Sequence, residues 1–192
     1  MASQGRGARA KGSNFELKIA KFMSGWWGGN FTRTPGSGGL RWGSDQRIAG
    51  DIVPPEGLDF PFVIECKKHE SFSLDNFLLN TGTPMDWWMQ VVTDCRRLNQ
   101  DKTKEQKTPL LIFSKNRAKV YVALPYKAAM YLKLNINGNA MRTTIVTKDI
   151  RGDEQDFDVI ITTLDDFATI PIADLQKFGK TVEWDAYADQ YE

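Results

Sequence analysis

The run Phe62-Val63-Ile64-Glu65-Cys66-Lys67 constrains this chain more than any other stretch. Three large apolar residues in succession suit a central strand buried on both faces of a sheet. Such a strand should not end in charges, because an unpaired charge is costly to bury. Strand alternation sends Glu65 and Lys67 to one face and Cys66 to the other. The two charges therefore need a reason to be together. Pairing with each other and with Asp51, around a cation, supplies one. Asp51 sits in Gly50-Asp51-Ile52-Val53, which reads as a short strand, and the turn Pro54-Pro55-Glu56-Gly57 leads back to the returning strand from Phe60 to Lys67.

Two acids and an amine in this arrangement suit metal-dependent phosphodiester cleavage. Mg²⁺ favours a site with one or two carboxylates, completed by waters and substrate oxygens. Asp51 and Glu65 are the candidate pair. Lys67 could orient the attacking water or stabilise developing negative charge. The plain alternative is a surface hairpin with a salt bridge.

Upstream, Ser13 or Asn14 is a plausible cap for a helix through about Met23, with Phe15, Ile19, Phe22 and Met23 at helical spacing. Glu16 then lies in its first turn, where it suits the helix dipole. Residues 1–12 read as a mobile basic arm in which Arg6, Arg9 and Lys11 could reach phosphates. A short strand from Asn30 to Thr34 enters a loop with Gly36, Ser37, Gly38 and Gly39, which could close on a substrate backbone and carry Ser37 with it.

Downstream, Pro84 to Leu98 predicts a helix. Its Gln90 either faces water or leans over the acidic site to fix the lysine or a water. The loop from Asn99 to Thr108 brings Lys102, Lys104 and Lys107 as candidate backbone contacts. Strands at Pro109–Phe113 and Lys119–Ala123 and a helix at Tyr126–Leu132 complete a core over 13–134. The order of elements fits an α/β sheet with helices packed on it. Residues 135–192 read as an extension with strands at Arg142–Thr147 and Phe157–Thr162. Short helical pieces follow at Leu164–Ala168, Ile172–Phe178 and Trp184–Tyr191.

Charge divides the chain in the same place. Residues 1–68 and 69–134 each hold ten Lys/Arg against six Asp/Glu, whereas 135–192 hold five against twelve. A basic first two thirds suggests a polyanion partner, and the acidic last third a surface for a protein partner. No apolar run approaches the roughly 20 residues of a membrane span. No secretory signal is evident, and two cysteines are too few for a disulfide framework. A reducing cytoplasm is the expected compartment, with Cys66 and Cys95 as free buried thiols.

Four pieces in order carry a resemblance. These are Lys11-Gly12 followed by Glu16, Arg33-Thr34-Pro35-Gly36-Ser37-Gly38-Gly39, Gly50-Asp51-Ile52-Val53, and Ile64-Glu65-Cys66-Lys67. Together they resemble the PD-(D/E)xK nuclease superfamily, and within it the archaeal-type Holliday junction resolvases. The resemblance implies a restriction-endonuclease-like mixed sheet flanked by helices, here with a C-terminal β-rich elaboration. It also implies a homodimer that nicks four-way or otherwise branched DNA with Mg²⁺, for which Mn²⁺ would substitute. Glu16, Asp51 and Glu65 would be metal-site acids, joined by the Cys66 carbonyl. Lys67 would be the catalytic lysine, with Ser37 near the scissile phosphate and Gln90 in support. Arg33 would contact phosphate, with Arg9, Lys11, Arg41 and Arg47 as further DNA contacts. Flap, end or duplex nucleases of repair or restriction type, and a non-catalytic DNA-binding accessory protein, are the alternatives.

Overall fold

A computed structural model describes residues 3–34, 49–131, 139–149, 151–178 and 183–187. Helix α1 (Ser3–Trp27) opens the chain, and the short strands β1 (Thr32–Arg33) and β2 (Ile52–Val53) lead to β3 (Phe62–Lys68). Helices α2 (Asp75–Leu79) and α3 (Thr83–Asn99) precede β4 (Thr108–Ser114) and β5 (Tyr121–Pro125). Then come α4 (Tyr126–Tyr131), β6 (Met141–Lys148), β7 (Glu154–Thr163), α5 (Leu164–Phe167) and α6 (Ile172–Phe178). The strands form one seven-stranded sheet in the order β1-β2-β3-β4-β5-β7-β6. Only β3 and β4 run parallel, and helices α2 and α3 make the crossover between them. This is the mixed, helix-flanked architecture expected of a restriction-endonuclease-like fold.

Alternation along β3 and β4 divides the core in two. Phe62, Ile64, Leu110 and Ile112 meet Ile19 and Met23 of α1 and, from the far end of the chain, Phe167 and Phe178. Val63, Leu111 and Phe113 turn to the other face, where Phe77, Trp88, Val91 and Val92 of α2 and α3 cover them. Both helical layers thus press on the strand that carries Glu65 and Lys67. Each fully buried Leu, Ile or Phe contributes about 1.5–3 kcal/mol relative to exposure, so β3 is the best-anchored strand near the acids.

Three expectations change. Residues 3–12 are not an arm but the first turns of α1. Gln4, Ala8, Ala10 and the arginines are good helix formers, and they outweigh three glycines that each disfavour helix. Within the expected extension, β6 and β7 belong to the core sheet itself, because β7 pairs with β5 over five residues and with β6 over eight. Over 183–187, part of a predicted helical piece, the chain has no regular structure. Instead it lies along the fold: Trp184 Nε1 donates to the Lys107 carbonyl (2.8 Å), and Asp185 pairs with Arg96. No described helix is long and apolar enough to cross a membrane.

Candidate active site

The site is assembled from the antiparallel β2–β3 hairpin, where Ile52 opposes Ile64. Gly50 makes the entry possible. Its φ is +70°, and a Cβ there would lie 2.3 Å from the Ile64 carbonyl oxygen, so only glycine fits. The next residue, Asp51, donates its amide to that same Ile64 oxygen (2.8 Å) and gives its carbonyl to the Thr34 amide (2.9 Å). Its carboxylate Oδ2 accepts from the Cys66 amide at 2.8 Å. Thr34 also donates its hydroxyl to the Gly50 carbonyl (2.8 Å). Asp51 is therefore held through its main chain and its side chain together.

Glu65 is 2% exposed, and its Oε1 accepts from Lys67 Nζ at 2.6 Å. The same ammonium donates to Gln90 Oε1 at 2.9 Å, so the glutamine leans over the site and fixes the lysine. Burial is the first cause lifting both acids. It pushes Asp51 up to about 6, with the charge of Glu16 adding to the rise and the Cys66 amide opposing it. Glu65 is pushed up to about 8, with Asp51 adding and Lys67 opposing. Two buried carboxyls this close resist carrying full charge together at neutral pH, and one ammonium does not compensate both. A donor pair short of positive charge fits a hard divalent cation, which one or two carboxylates and a main-chain carbonyl can hold with waters.

Glu16 is near enough for its charge to raise Asp51. It lies mid-helix in α1, not in a first turn, and its Oε2 accepts from Arg33 Nε at 3.0 Å. Among the described residues no three His, Cys, Asp or Glu side chains form a group able to hold one ion. The structure thus brings together Asp51, Glu65, Lys67 and Gln90, and joins Glu16 to Arg33 beside them. The remaining Arg33 guanidinium nitrogens have no protein partner among the described residues, and the side chain is 35% exposed.

Other expected residues fall elsewhere. Lys11 is exposed on α1. Ser37, Arg41 and Arg47 lie outside the described residues, as does the side chain of Arg9. Lys107 is no backbone contact: its Nζ donates to the Phe60 carbonyl at 2.6 Å, and burial lowers its pKa. Lys68 turns away from the site over the Phe15 ring. Cys66 and Cys95 are free and buried, and burial pushes both thiols well up, which makes them inert packing residues.

Two residues of the site are not apparent from the sequence. Thr34 was visible only as the last residue of a short strand. Asp94 of α3 accepts the Gly50 amide on Oδ2 at 3.2 Å. Its one signal was the i, i+4 spacing from Gln90, which puts both side chains on one strip of the helix.

A sequence model of the family described as "Phage putative PDDEXK endonuclease" matches residues 7–177. No curated protein and no solved structure matches the chain. The match supports the superfamily resemblance, and not the archaeal-type resolvase group within it. It spans most of α1, Asp51, the Glu65-Cys66-Lys67 strand, and β6 through most of α6, so most of the acidic last third is family structure as well. The chain belongs to the phage PDDEXK endonuclease family.

Proposed function

We propose that this protein is a Mg²⁺-dependent endodeoxyribonuclease that nicks branched DNA, four-way junctions included. The observation that carries this reading is the joined set Asp51–Glu65–Lys67–Gln90 at the end of the central strand. Asp51 and Glu65, with the Cys66 carbonyl, would hold the cation. When bound, the cation supplies charge neutralisation at the phosphate and at the leaving oxygen. Lys67, pinned by Gln90, keeps its ammonium where it can orient the attacking water and offset charge developing on the phosphate. Arg33, with Glu16 on its Nε edge, presents its outer nitrogens to a neighbouring phosphate. Ser37 would act on the scissile phosphate from the loop that follows. Branched-substrate choice and a homodimer with one site per strand rest on the resemblance of the ordered motifs. Cleavage chemistry rests on the residues themselves.

A nicking assay in Mg²⁺ on a four-way junction, a flap and a linear duplex tests both levels. Asp51→Ala, Glu65→Ala and Lys67→Ala should each lower cleavage by at least about a hundredfold, the usual cost of losing one preorganised charge-stabilising group. Mn²⁺ should restore activity to the unmodified protein when Mg²⁺ is removed. Full activity in the three variants would sink the site. Equal cutting of linear duplex would leave the nuclease and replace the branched substrate with a repair- or restriction-type one. Tight junction binding without any metal-stimulated cutting would favour an accessory DNA-binding role.

A further inference from the structure

We infer that Asp94 is a positioning residue for the metal-binding carboxylate Asp51, acting through the Gly50 amide. The inference rests on the reading of Asp51 as a ligand. Asp51 comes just before β2 and Lys67 from β3, yet both are tied to one helix. Gln90 of α3 accepts from Lys67 Nζ, and Asp94, one turn later, accepts from Gly50 N. That helix is itself immobilised, because Trp88, Val91, Val92 and Cys95 on its opposite side are fully buried. One rigid rod thus sets the spacing between the lysine and the acid.

Gly50 is where such a tie is needed. The residue sits at φ +70° against the Ile64 carbonyl, so its conformation is unusual and sterically bounded on one side. The Thr34 hydroxyl holds its carbonyl, and Asp94 holds its amide. With both peptide groups of Gly50 fixed, the following Cα of Asp51 has little freedom, and its carboxylate can be aimed by the Cys66 amide. The Asp94 carboxylate divides its labour. Oδ2 takes the Gly50 amide, while Oδ1 faces Arg97 at 3.6 Å on the exposed side. With its oxygens turned to Gly50 and Arg97, Asp94 works through Asp51. Loss of such an outer partner typically costs ten- to a hundredfold in metal affinity or activity.

Asp94 also contributes a charge near Glu65, so the hydrogen bond and the charge must be separated. Asp94→Asn keeps an acceptor and removes the charge. Asp94→Ala removes both, and Asp94→Ser leaves a polar side chain too short to reach Gly50. Mn²⁺ binding to DNA-free protein, followed by electron paramagnetic resonance, is the main readout, with the split between kcat and KM on a junction beside it. Asp94 is partly exposed and accepts a single main-chain bond, so all three variants should unfold cooperatively near the parent temperature. The expected result is Mn²⁺ affinity and kcat about tenfold lower in Asp94→Ala and Asp94→Ser, with KM for DNA unchanged and recovery in Asp94→Asn. Equal impairment of Asp94→Asn and Asp94→Ala would overturn the inference, since charge rather than position would be responsible. Unaltered Mn²⁺ binding in Asp94→Ala and Asp94→Ser, with binding lost in Asp51→Ala, would overturn it while leaving the site standing. Retained Mn²⁺ binding in Asp51→Ala would remove the reading of the site itself.

Discussion

Glu65 and Asp51 compete for the same scarce resource, a counter-charge in a place water barely reaches. Burial raises both carboxyls, so the folded metal-free protein binds more protons than the unfolded chain above the ordinary carboxylate range. Their contribution to stability is thus fully present at low pH and is lost as pH rises through about 6 for Asp51 and about 8 for Glu65. Two outcomes follow from that sign. Metal-free protein should lose thermal stability between pH 5 and pH 8.5 at constant ionic strength, and Glu65→Gln should flatten the loss and melt higher than the parent at the alkaline end. Mg²⁺ affinity should climb across the same interval, with protons released on binding, as calorimetry in buffers of different ionisation enthalpy would show. Glu16 belongs to a different ledger. Its Oε2 accepts from Arg33 Nε, so Glu16→Gln should leave DNA-free Mn²⁺ affinity within about threefold, well short of the ten- to hundredfold drop that loss of a working partner produces. A tenfold fall would make it a ligand after all.

At the scale of elements, the sequence announced whatever repeats with a period. The β3 run and the α3 stripe of Trp88, Val91, Val92 and Cys95 are legible and lie where their patterns put them, while β7 begins at Glu154, three residues before the expected strand. So was the pairing of Glu65 with Lys67, because alternation alone places them on one face. Helix α1 was legible in its apolar half only. Its first turns hold no large apolar residue to read, and glycines there mask a stretch whose other residues favour helix. The short helix α2 was missed for a related reason: five residues contain too little periodicity, and Phe77 is its one buried side chain. Asp94 and Thr34 were illegible because hydrogen bonds to main-chain amides and carbonyls leave no spacing rule in a sequence. Gly50 is the hinge between the two classes. It could be read as a turn glycine, but not as the residue whose missing Cβ lets Ile64 approach. Gly50→Ala should therefore destabilise by about 2 kcal/mol or more, the scale of a strained left-handed residue plus a clash, and should reduce metal binding with it. Chemical denaturation with and without Mn²⁺ checks both.

For the whole molecule, charge and topology give different divisions. The composition changes sign near residue 135, which invites a cut there, while the sheet runs straight through it. β7 lies between β5 and β6, and Val159, Ile160 and Ile161 help close both halves of the core. Much of the acid in this third is also committed internally. Asp158 accepts from Arg142 and Thr144, Asp156 bonds the Tyr187 hydroxyl, and Asp185 meets Arg96 through two hydrogen bonds of 2.7 and 2.8 Å. The last of these is buried on both sides, with Arg96 9% and Asp185 8% exposed, and Gln155 takes a further guanidinium nitrogen. Arg96 stands on α3, the helix that frames the active site, so the segment around Asp185 is tied to that frame. Asp185→Ala should leave a buried guanidinium short of its counter-ion and cost about 3–5 kcal/mol, read as a lowered unfolding midpoint. A chain ending at residue 134 goes further. It removes both partners on the β5 side of the sheet, exposes Val122 and Leu124, and strips Phe167 and Phe178 from the layer over Phe62. Such a chain should show no cooperative melt and no near-ultraviolet circular dichroism, and should cut no DNA because it lacks a fold rather than a substrate contact. A folded, cleaving fragment would restore the boundary that the charge pattern suggests.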